Sequence, residues 1–288
     1  MIDPALYALV AEQRSYLHQH GDHPADRADA DPHDLLPVEE RDIVGVPVRI
    51  LRPAQPRAVY LHFHAGSYVF GCAAMMDHAN SLLARDLGAI VVSVDYRLVP
   101  AAAFPAPIDD AEAAALWLVR DQPFGDLPLL IGGESVGATI TLLTLLRLRD
   151  QSGLSGNFRA MNLIAGNYDF SMTPSQRLAP ESYFLSPTAL RRTQATVFPG
   201  LAPELLRDPT ISPLYADLDR LPPALLTIGT ADSVLDDSLF LAARLAAAGS
   251  RAELAVYPEA THPFMTLPTA MAREARQRVI RFLAAAIG

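Results

Sequence analysis

Residues 129–143, LLIGGESVGATITLL, join an apolar run, a glycine-flanked serine and a second apolar run without interruption. The first run has the composition of a buried strand, and the second reads as the start of a helix. Between them, GESVG at 133–137 has the pattern Gly-x-Ser-x-Gly, whose two glycines allow the sharp turn that exposes a serine hydroxyl above a sheet. The helix N-terminus, including the amide of Val136, would face negative charge that develops there. The pattern therefore predicts a nucleophile at Ser135.

A serine nucleophile needs a base and an acid, and Asp232 and His262 stand where these are expected. In a strand–turn–helix site of this kind the chain order is serine, acid, histidine. Asp232 comes just after a predicted strand at 224–229, and His262 comes just after a predicted strand at 252–257. The carboxyl ends of parallel strands meet at one sheet edge, where α/β sites assemble. Order, position and residue type therefore predict a Ser135, His262 and Asp232 triad.

A loop of small residues follows another predicted strand, within residues 60–71, YLHFHAGSYVFG. Small side chains let backbone N–H groups approach a tetrahedral oxyanion, so this loop is a candidate oxyanion hole. The alternative is a metal site at His62 and His64, which would face the same side of a strand. That alternative is disfavoured because two ligands make no zinc site and no Cys, Asp or Glu lies nearby in sequence.

Strands and helices alternate over most of the chain, which predicts an α/β fold with a mostly parallel central sheet and helices on both faces. Residues 43–51 read as an edge strand interrupted by Pro47. The other predicted strands are 58–64, 89–97, 127–132, 159–165, 224–229 and 252–257, and the predicted helices are 75–87, 108–119, 136–149, 236–248 and 268–286.

Two segments break this alternation. Residues 166–221 form a long excursion that often carries function, as a lid over a site at the strand ends. Residues 1–40 open with one amphipathic helix and continue into an acidic, proline-rich stretch. We interpret that stretch as a solvated linker and not as a metal site, because its histidines lack convincing ligand spacing. The histidines of the segment are His18, His20, His23 and His33.

Composition excludes several classes of function. All 23 basic residues among the 288 are arginine, which rules out Schiff-base lysine chemistry and a phosphate-loop lysine. A net charge of −9 argues against nucleic acid as a partner. Cys72 is the single cysteine, the N-terminus does not read as a signal peptide, and no apolar run approaches the roughly 18 residues of a membrane span. We expect a soluble, cytoplasmic protein.

The combined motifs resemble those of the hormone-sensitive-lipase-like branch of the α/β hydrolases, the bacterial family IV esterases. HAGS at 64–67 stands where that family has HGGG, and GESVG at 133–137 matches its GDSAG. DYRLVP at 95–100 matches its DYRLAP, and FPAPIDDA at 104–111 matches the segment that follows. The resemblance covers the chain from about residue 40 to the end.

This resemblance implies an α/β-hydrolase catalytic domain over 41–288 and a helical cap made from 1–40 and part of 166–215. The implied reaction is hydrolysis of a small carboxylic ester with a short-to-medium acyl chain, without a cofactor. The family often dimerises through its last strand and helix, so a homodimer is left open. The implied site residues are Ser135 as nucleophile, His262 as base, Asp232 as acid, the amides of Gly66, Ser67 and Val136 as oxyanion hole, and Tyr68 and Phe184 as substrate contacts.

Three departures from the family pattern leave other functions open. Ala65 and Ser67 replace glycines, so the loop must avoid backbone angles open only to glycine. Glu134 replaces the commoner aspartate, and Asp-Ser-Val at 232–234 replaces Asp-Pro-Leu. An amidase or an acyltransferase acting on a specialised metabolite would use the same triad. A non-catalytic receptor of the same fold is a third reading, which the presence of His262 disfavours.

Overall fold

Eight strands form one sheet in the computed structural model, which describes residues 2–21 and 35–288. The strands are β1 (Val38–Ile43), β2 (Val46–Leu51), β3 (Ala58–Phe63), β4 (Ala89–Val94), β5 (Leu129–Glu134), β6 (Phe158–Ile164), β7 (Ala224–Ala231) and β8 (Ala252–Thr261). Their order across the sheet is β1-β2-β4-β3-β5-β6-β7-β8. Strands β3 to β8 run parallel, and β1 and β2 are antiparallel to their neighbours. The predicted α/β-hydrolase fold is therefore confirmed.

Helices cover both faces of the sheet. Along β3 the side chains alternate, so that Val59, Leu61 and Phe63 join one buried cluster while Ala58 and Tyr60 join the other. Burial of one large aliphatic or aromatic side chain contributes about 1.5–3 kcal/mol to the stability of the fold. The two clusters together therefore hold the strands, and with them the strand ends, in place. The helices are α1 (Val10–His20), α2 (Asp77–Leu87), α3 (Ala106–Asp121), α4 (Val136–Arg147), α5 (Pro174–Leu178), α6 (Pro187–Val197), α7 (Leu235–Ala247) and α8 (Ala270–Ile287).

The edge of the sheet differs from the prediction. Residues 38–51 form a hairpin of two strands, where the sequence predicted one interrupted strand at 43–51. Strand β1 has the sequence VEERDI and is exposed along most of its length, so it lacks the apolar alternation that marks a half-buried strand. The hairpin turn is made by Val44 and Gly45 with φ of 56° and 83°, which suits the right-handed strand twist.

The two segments assigned to the cap pack differently. Between β6 and β7, the excursion holds α5, α6 and two short 3₁₀ helices. At the N-terminus, Leu6 and Val10 join the buried cluster that contains Tyr257 of β8, and Arg14 pairs with Glu259 at 2.6 Å. The first helix thus lies against the last strand. Part of the predicted linker, with His23 and His33, lies outside the described residues.

No helix within residues 2–21 and 35–288 has the length and apolar character needed to cross a membrane.

Candidate active site

Ser135 lies on a sharp turn between β5 and α4. Its backbone has φ 55° and ψ −123°, a strained combination for a residue with a Cβ. A hydrogen bond to β6 holds the turn: the Ser135 amide donates to the carbonyl oxygen of Ile164 at 2.8 Å. Gly133 and Gly137 flank the turn, and an added Cβ at either would overlap the carbonyl oxygen of Phe63. The two motif glycines are therefore required by close approach to β3.

Substitution of Gly137 by alanine tests this close approach. The added methyl group is expected to push β3 away from the turn and to lower kcat/KM for a p-nitrophenyl ester by about 10- to 100-fold, because small misplacements of reacting groups are costly. Gly156→Ala is the matched control, since its Cβ would enter open space and its activity should stay at the wild-type level. Equal activity of the two variants would contradict the packing argument.

The structure brings the three predicted triad residues together. His262 Nε2 lies 3.0 Å from Ser135 Oγ, and His262 Nδ1 lies 2.8 Å from Asp232 Oδ2. The Asp232 side chain is fully buried and that of His262 is nine-tenths buried. The amide of Val234 donates to the other Asp232 oxygen at 3.1 Å, which fixes the carboxylate plane. This geometry allows the imidazole to accept the serine proton while the carboxylate orients the ring.

The topology explains why residues so distant in sequence meet. Strand β7 ends at Ala231 and β8 ends at Thr261, so Asp232 and His262 each follow their strand directly. Both strands run parallel to β5, and all three carboxyl ends lie at one edge of the sheet. The sequence-based prediction ended both strands too early, at 229 instead of 231 for β7 and at 257 instead of 261 for β8.

The candidate oxyanion loop lies beside the turn at the end of β3. Gly66 has φ 136°, a conformation open almost only to glycine, and Ser67 has φ 54°, in the left-handed region. Gly66, the glycine that this loop keeps, therefore stands at the position whose backbone angle requires glycine. Ser67 stands where the left-handed backbone angle costs a residue with a Cβ less conformational energy. Within the described ranges, the amides of Gly66, Ser67 and Val136 donate no hydrogen bond to a protein acceptor.

His64 supports this loop from inside the protein. Its ring stacks on Tyr96 with 4.1 Å between centroids, and its Nδ1 lies 2.7 Å from the carbonyl of Ala65. The Tyr96 hydroxyl donates to the His64 carbonyl at 2.8 Å. Burial lowers the pKa of His64, so its ring is neutral near pH 7. These contacts give His64 a structural role in holding the loop.

The two residues expected to contact substrate have different environments. Phe184 is 42% exposed and lies nearly parallel to the His262 ring, with 6.3 Å between centroids. Tyr68 is fully buried against Phe104 and Phe170. Tyr68 therefore packs in the core, with a positive φ of 66°, and its role as a substrate contact stays a prediction.

Sequence reasoning missed a pair that involves His62. Its Nε2 lies 2.9 Å from Glu134 Oε2, next to the nucleophile, and His64 has the separate partners given above. In the described residues, no three His, Cys, Asp or Glu side chains gather as a metal site would require. The sequence carried no signal for the pair, because the pair depends on the register that aligns His62 with Gly132 of β5, two residues before Glu134.

Comparison with known proteins gives the family. A family model described as the alpha/beta hydrolase fold matches residues 60–266. The carboxylesterase NlhH of Mycobacterium tuberculosis is 31% identical over 250 residues, which cover 81% of this chain and 78% of that protein. The ethyl acetate hydrolase of Pseudomonas putida is 33% identical over 245 residues, which cover 81% of this chain and 75% of that protein.

Solved structures give the same result. An esterase of Pyrobaculum calidifontis superposes with a TM-score of 0.81 and 26% identity over 100% of both chains. A hormone-sensitive lipase from a metagenome library superposes with a TM-score of 0.81 and 26% identity over 97% of this chain and 92% of that chain. Taken with the motif order and the sheet topology, these matches show that the chain belongs to the α/β-hydrolase family, in its hormone-sensitive-lipase-like branch of carboxylesterase-type hydrolases.

Proposed function

We propose that this protein hydrolyses carboxylic esters with short-to-medium acyl chains through an acyl intermediate on Ser135. The observation that carries the proposal is the continuous hydrogen-bond chain from Ser135 Oγ through His262 to Asp232. The printed names of the relatives, a carboxylesterase and an ethyl acetate hydrolase, support ester cleavage. They do not favour the amidase or acyltransferase reading.

In the proposed acylation, His262 acts first as a base and then as an acid. Its Nε2 accepts the Ser135 proton while Oγ attacks the ester carbonyl carbon. The Nδ1–H donates to Asp232, which stabilises the imidazolium that forms. Collapse of the tetrahedral intermediate breaks the bond to the alkoxy oxygen, and His262 gives that oxygen its proton. A water molecule, activated in the same way, then releases the acid and restores Ser135.

We assign the oxyanion hole to the amides of Gly66, Ser67 and Val136. Donors aimed at the place where charge develops stabilise a transition state strongly, because they need no reorganisation during the reaction. All three amides lack another protein acceptor among the residues described, and Val136 is the first residue of α4. The helix N-terminus adds a favourable partial positive charge.

Phe184 is proposed to border the acyl or alcohol site, within a cap made by the N-terminal segment and part of 166–215. We expect Phe184→Ala to raise KM for p-nitrophenyl butyrate by about five- to tenfold with little change in kcat, because it removes an apolar contact that is equal in the ground and transition states. Phe240→Ala is the matched control, since Phe240 is also 42% exposed and lies on α7. A similar KM increase in both variants would argue against this role.

The substrate class is tested with acetyl, butyryl and octanoyl esters of p-nitrophenol. The proposal expects serine-dependent turnover that is fastest with the shorter acyl chains. A preference for a long-chain ester, such as the palmitoyl ester, over all three would contradict the chain-length part. Absence of ester turnover by the folded protein would contradict the function as a whole.

The location and assembly of the protein are also proposals. A cytoplasmic location is supported by the single cysteine, Cys72, which can form no internal disulfide. A homodimer through β8 and α8 is supported by the place of β8 at the edge of the described sheet. Light scattering of the purified protein tests the dimer.

A further inference from the structure

A buried hydrogen-bond network lies beneath the nucleophile turn and contains no triad residue. Glu134 Oε2 is 2.9 Å from His62 Nε2. On its other side the His62 ring has Nδ1 at 2.8 Å from Ser93 Oγ and at 3.2 Å from the Asn80 amide nitrogen. His62, Ser93 and Asn80 are each at most 2% exposed. The network thus links β5, β3, β4 and α2.

The register of the sheet builds this network. His62 is paired with Ser93 on one side and with Gly132 on the other, and paired residues in a parallel sheet project from the same face. Glu134 lies two residues beyond Gly132, so its side chain returns to that face. The carboxylate therefore reaches the imidazole across the boundary between β5 and β3.

The hydrogen-bond partners assign the proton on His62. The Asn80 amide donates to Nδ1, so Nδ1 accepts and the proton resides on Nε2, which donates to Glu134. The Glu134 side chain is 27% exposed, and a partly buried carboxylate requires such a donor. Burial and then the charge of Glu134 raise the pKa of Tyr60 beneath it, which keeps that phenol protonated.

The two bonded strands carry the two halves of the candidate active site. Strand β5 leads directly into Ser135, and β3 leads directly into the loop that contains Gly66 and Ser67. The strained backbone of Ser135 persists only if its surroundings hold it. The hydrogen bond between Glu134 and His62 joins these halves, because Glu134 immediately precedes the nucleophile and His62 lies four residues before Gly66.

We propose that Glu134 is a positioning residue, which through its hydrogen bond to His62 sets the nucleophile turn against the oxyanion loop. This inference rests on the proposed function, because it assumes that Ser135 attacks and that the loop binds the oxyanion. It also gives a role to the departure from the family aspartate. An aspartate has one methylene fewer, so it would leave a gap where the 2.9 Å bond now lies.

The test compares side-chain length with side-chain charge. In Glu134→Gln the amide oxygen still accepts from His62 Nε2, so kcat should stay within about threefold of the wild-type value. In Glu134→Asp and Glu134→Ala that bond is lost, and kcat should fall by about 10- to 100-fold with KM nearly constant. His62→Ala should cost about as much. The Glu134→Ala, His62→Ala double variant should cost no more than either single variant, because both remove one bond.

All rates are expressed per active serine, titrated with a serine-directed phosphonate, so that a misfolded fraction does not lower kcat. Asp77→Asn is the control: it breaks a similarly part-buried ion pair between Asp77 on α2 and Arg49 on β2. It should lower the melting temperature without changing kcat per titrated serine. The Asp and Gln variants are the conservative pair that remains informative if the alanine variants do not fold.

Three results would overturn the proposal: unchanged kcat per titrated serine in Glu134→Asp, an equal loss in Glu134→Gln and Glu134→Asp, or multiplied losses in the double variant. Failure of the proposed function is separate, because it would appear as full turnover by Ser135→Ala or as absence of ester turnover by the folded wild-type protein. An inactive Ser135→Ala with normal Glu134 variants would remove only the positioning role.

Discussion

Ser135→Ala is expected to lower kcat for p-nitrophenyl butyrate by about a millionfold, the loss typical when a triad nucleophile is removed. The substitution deletes only the Oγ atom, whose hydrogen-bond partner is His262. The amide of Ser135 still bonds to Ile164, so the turn and the fold should persist. The measurement is p-nitrophenol release by both proteins side by side, with circular dichroism to confirm folding.

A second serine serves as the control for this result. Ser250 is buried, and its hydroxyl donates to the Leu218 carbonyl at 3.0 Å; it precedes β8, whereas His262 follows the other end of that strand. Ser250→Ala should lower the free energy of unfolding by about 1 kcal/mol and leave kcat unchanged. Turnover by Ser135→Ala at more than a few per cent of the wild-type rate would assign the attack to another group.

Asp232→Asn is expected to lower kcat by about ten-thousandfold with little change in KM. The asparagine amide can donate to His262 Nδ1, which would move the ring proton to Nε2. The imidazole could then no longer accept the Ser135 proton, although the geometry of 2.8 and 3.0 Å would remain. Measurement of kcat and KM for the wild-type protein and for Asp232→Asn, with one ester at one pH, checks this prediction.

Asp236 provides the comparison for the choice of acid. It lies in the first turn of α7 and accepts from the Ser175 amide at 2.8 Å, so its structural role is to hold the start of α5. Asp236→Asn should reduce kcat by less than about tenfold, because it touches no triad atom. If Asp236→Asn were the more damaging substitution, the assignment of Asp232 as the acid would be wrong.

The central strands and the triad could be predicted because their signals are local or ordered. Strands β3 to β8 are short apolar runs, and GESVG at 133–137 fixes one strand-to-helix turn. The position of Asp232 and His262 after two further strands then required only the parallel topology. The edge strand β1 escaped prediction because a strand with little buried surface has no apolar alternation.

Other features depend on backbone angles and on register, which a sequence does not display. The sequence did not display the burial of the Tyr68 ring in the core, where Ser67 and Tyr68 both have positive φ. The bond between His62 and Glu134 joins residues 72 apart in sequence, and it depends on the alignment of β3 with β5. Motif comparison identified Glu134 as a departure but gave it no partner.

The most direct test of the central claim is to trap the acyl-enzyme. Wild-type protein is mixed with p-nitrophenyl butyrate, quenched rapidly in acid, and analysed by intact mass and peptide mapping. The account predicts the mass of one butyryl group on the peptide that contains Ser135, and no such adduct in Ser135→Ala. Turnover without an adduct under conditions where deacylation limits the rate, or an adduct on another serine such as Ser67 or Ser233, would contradict it.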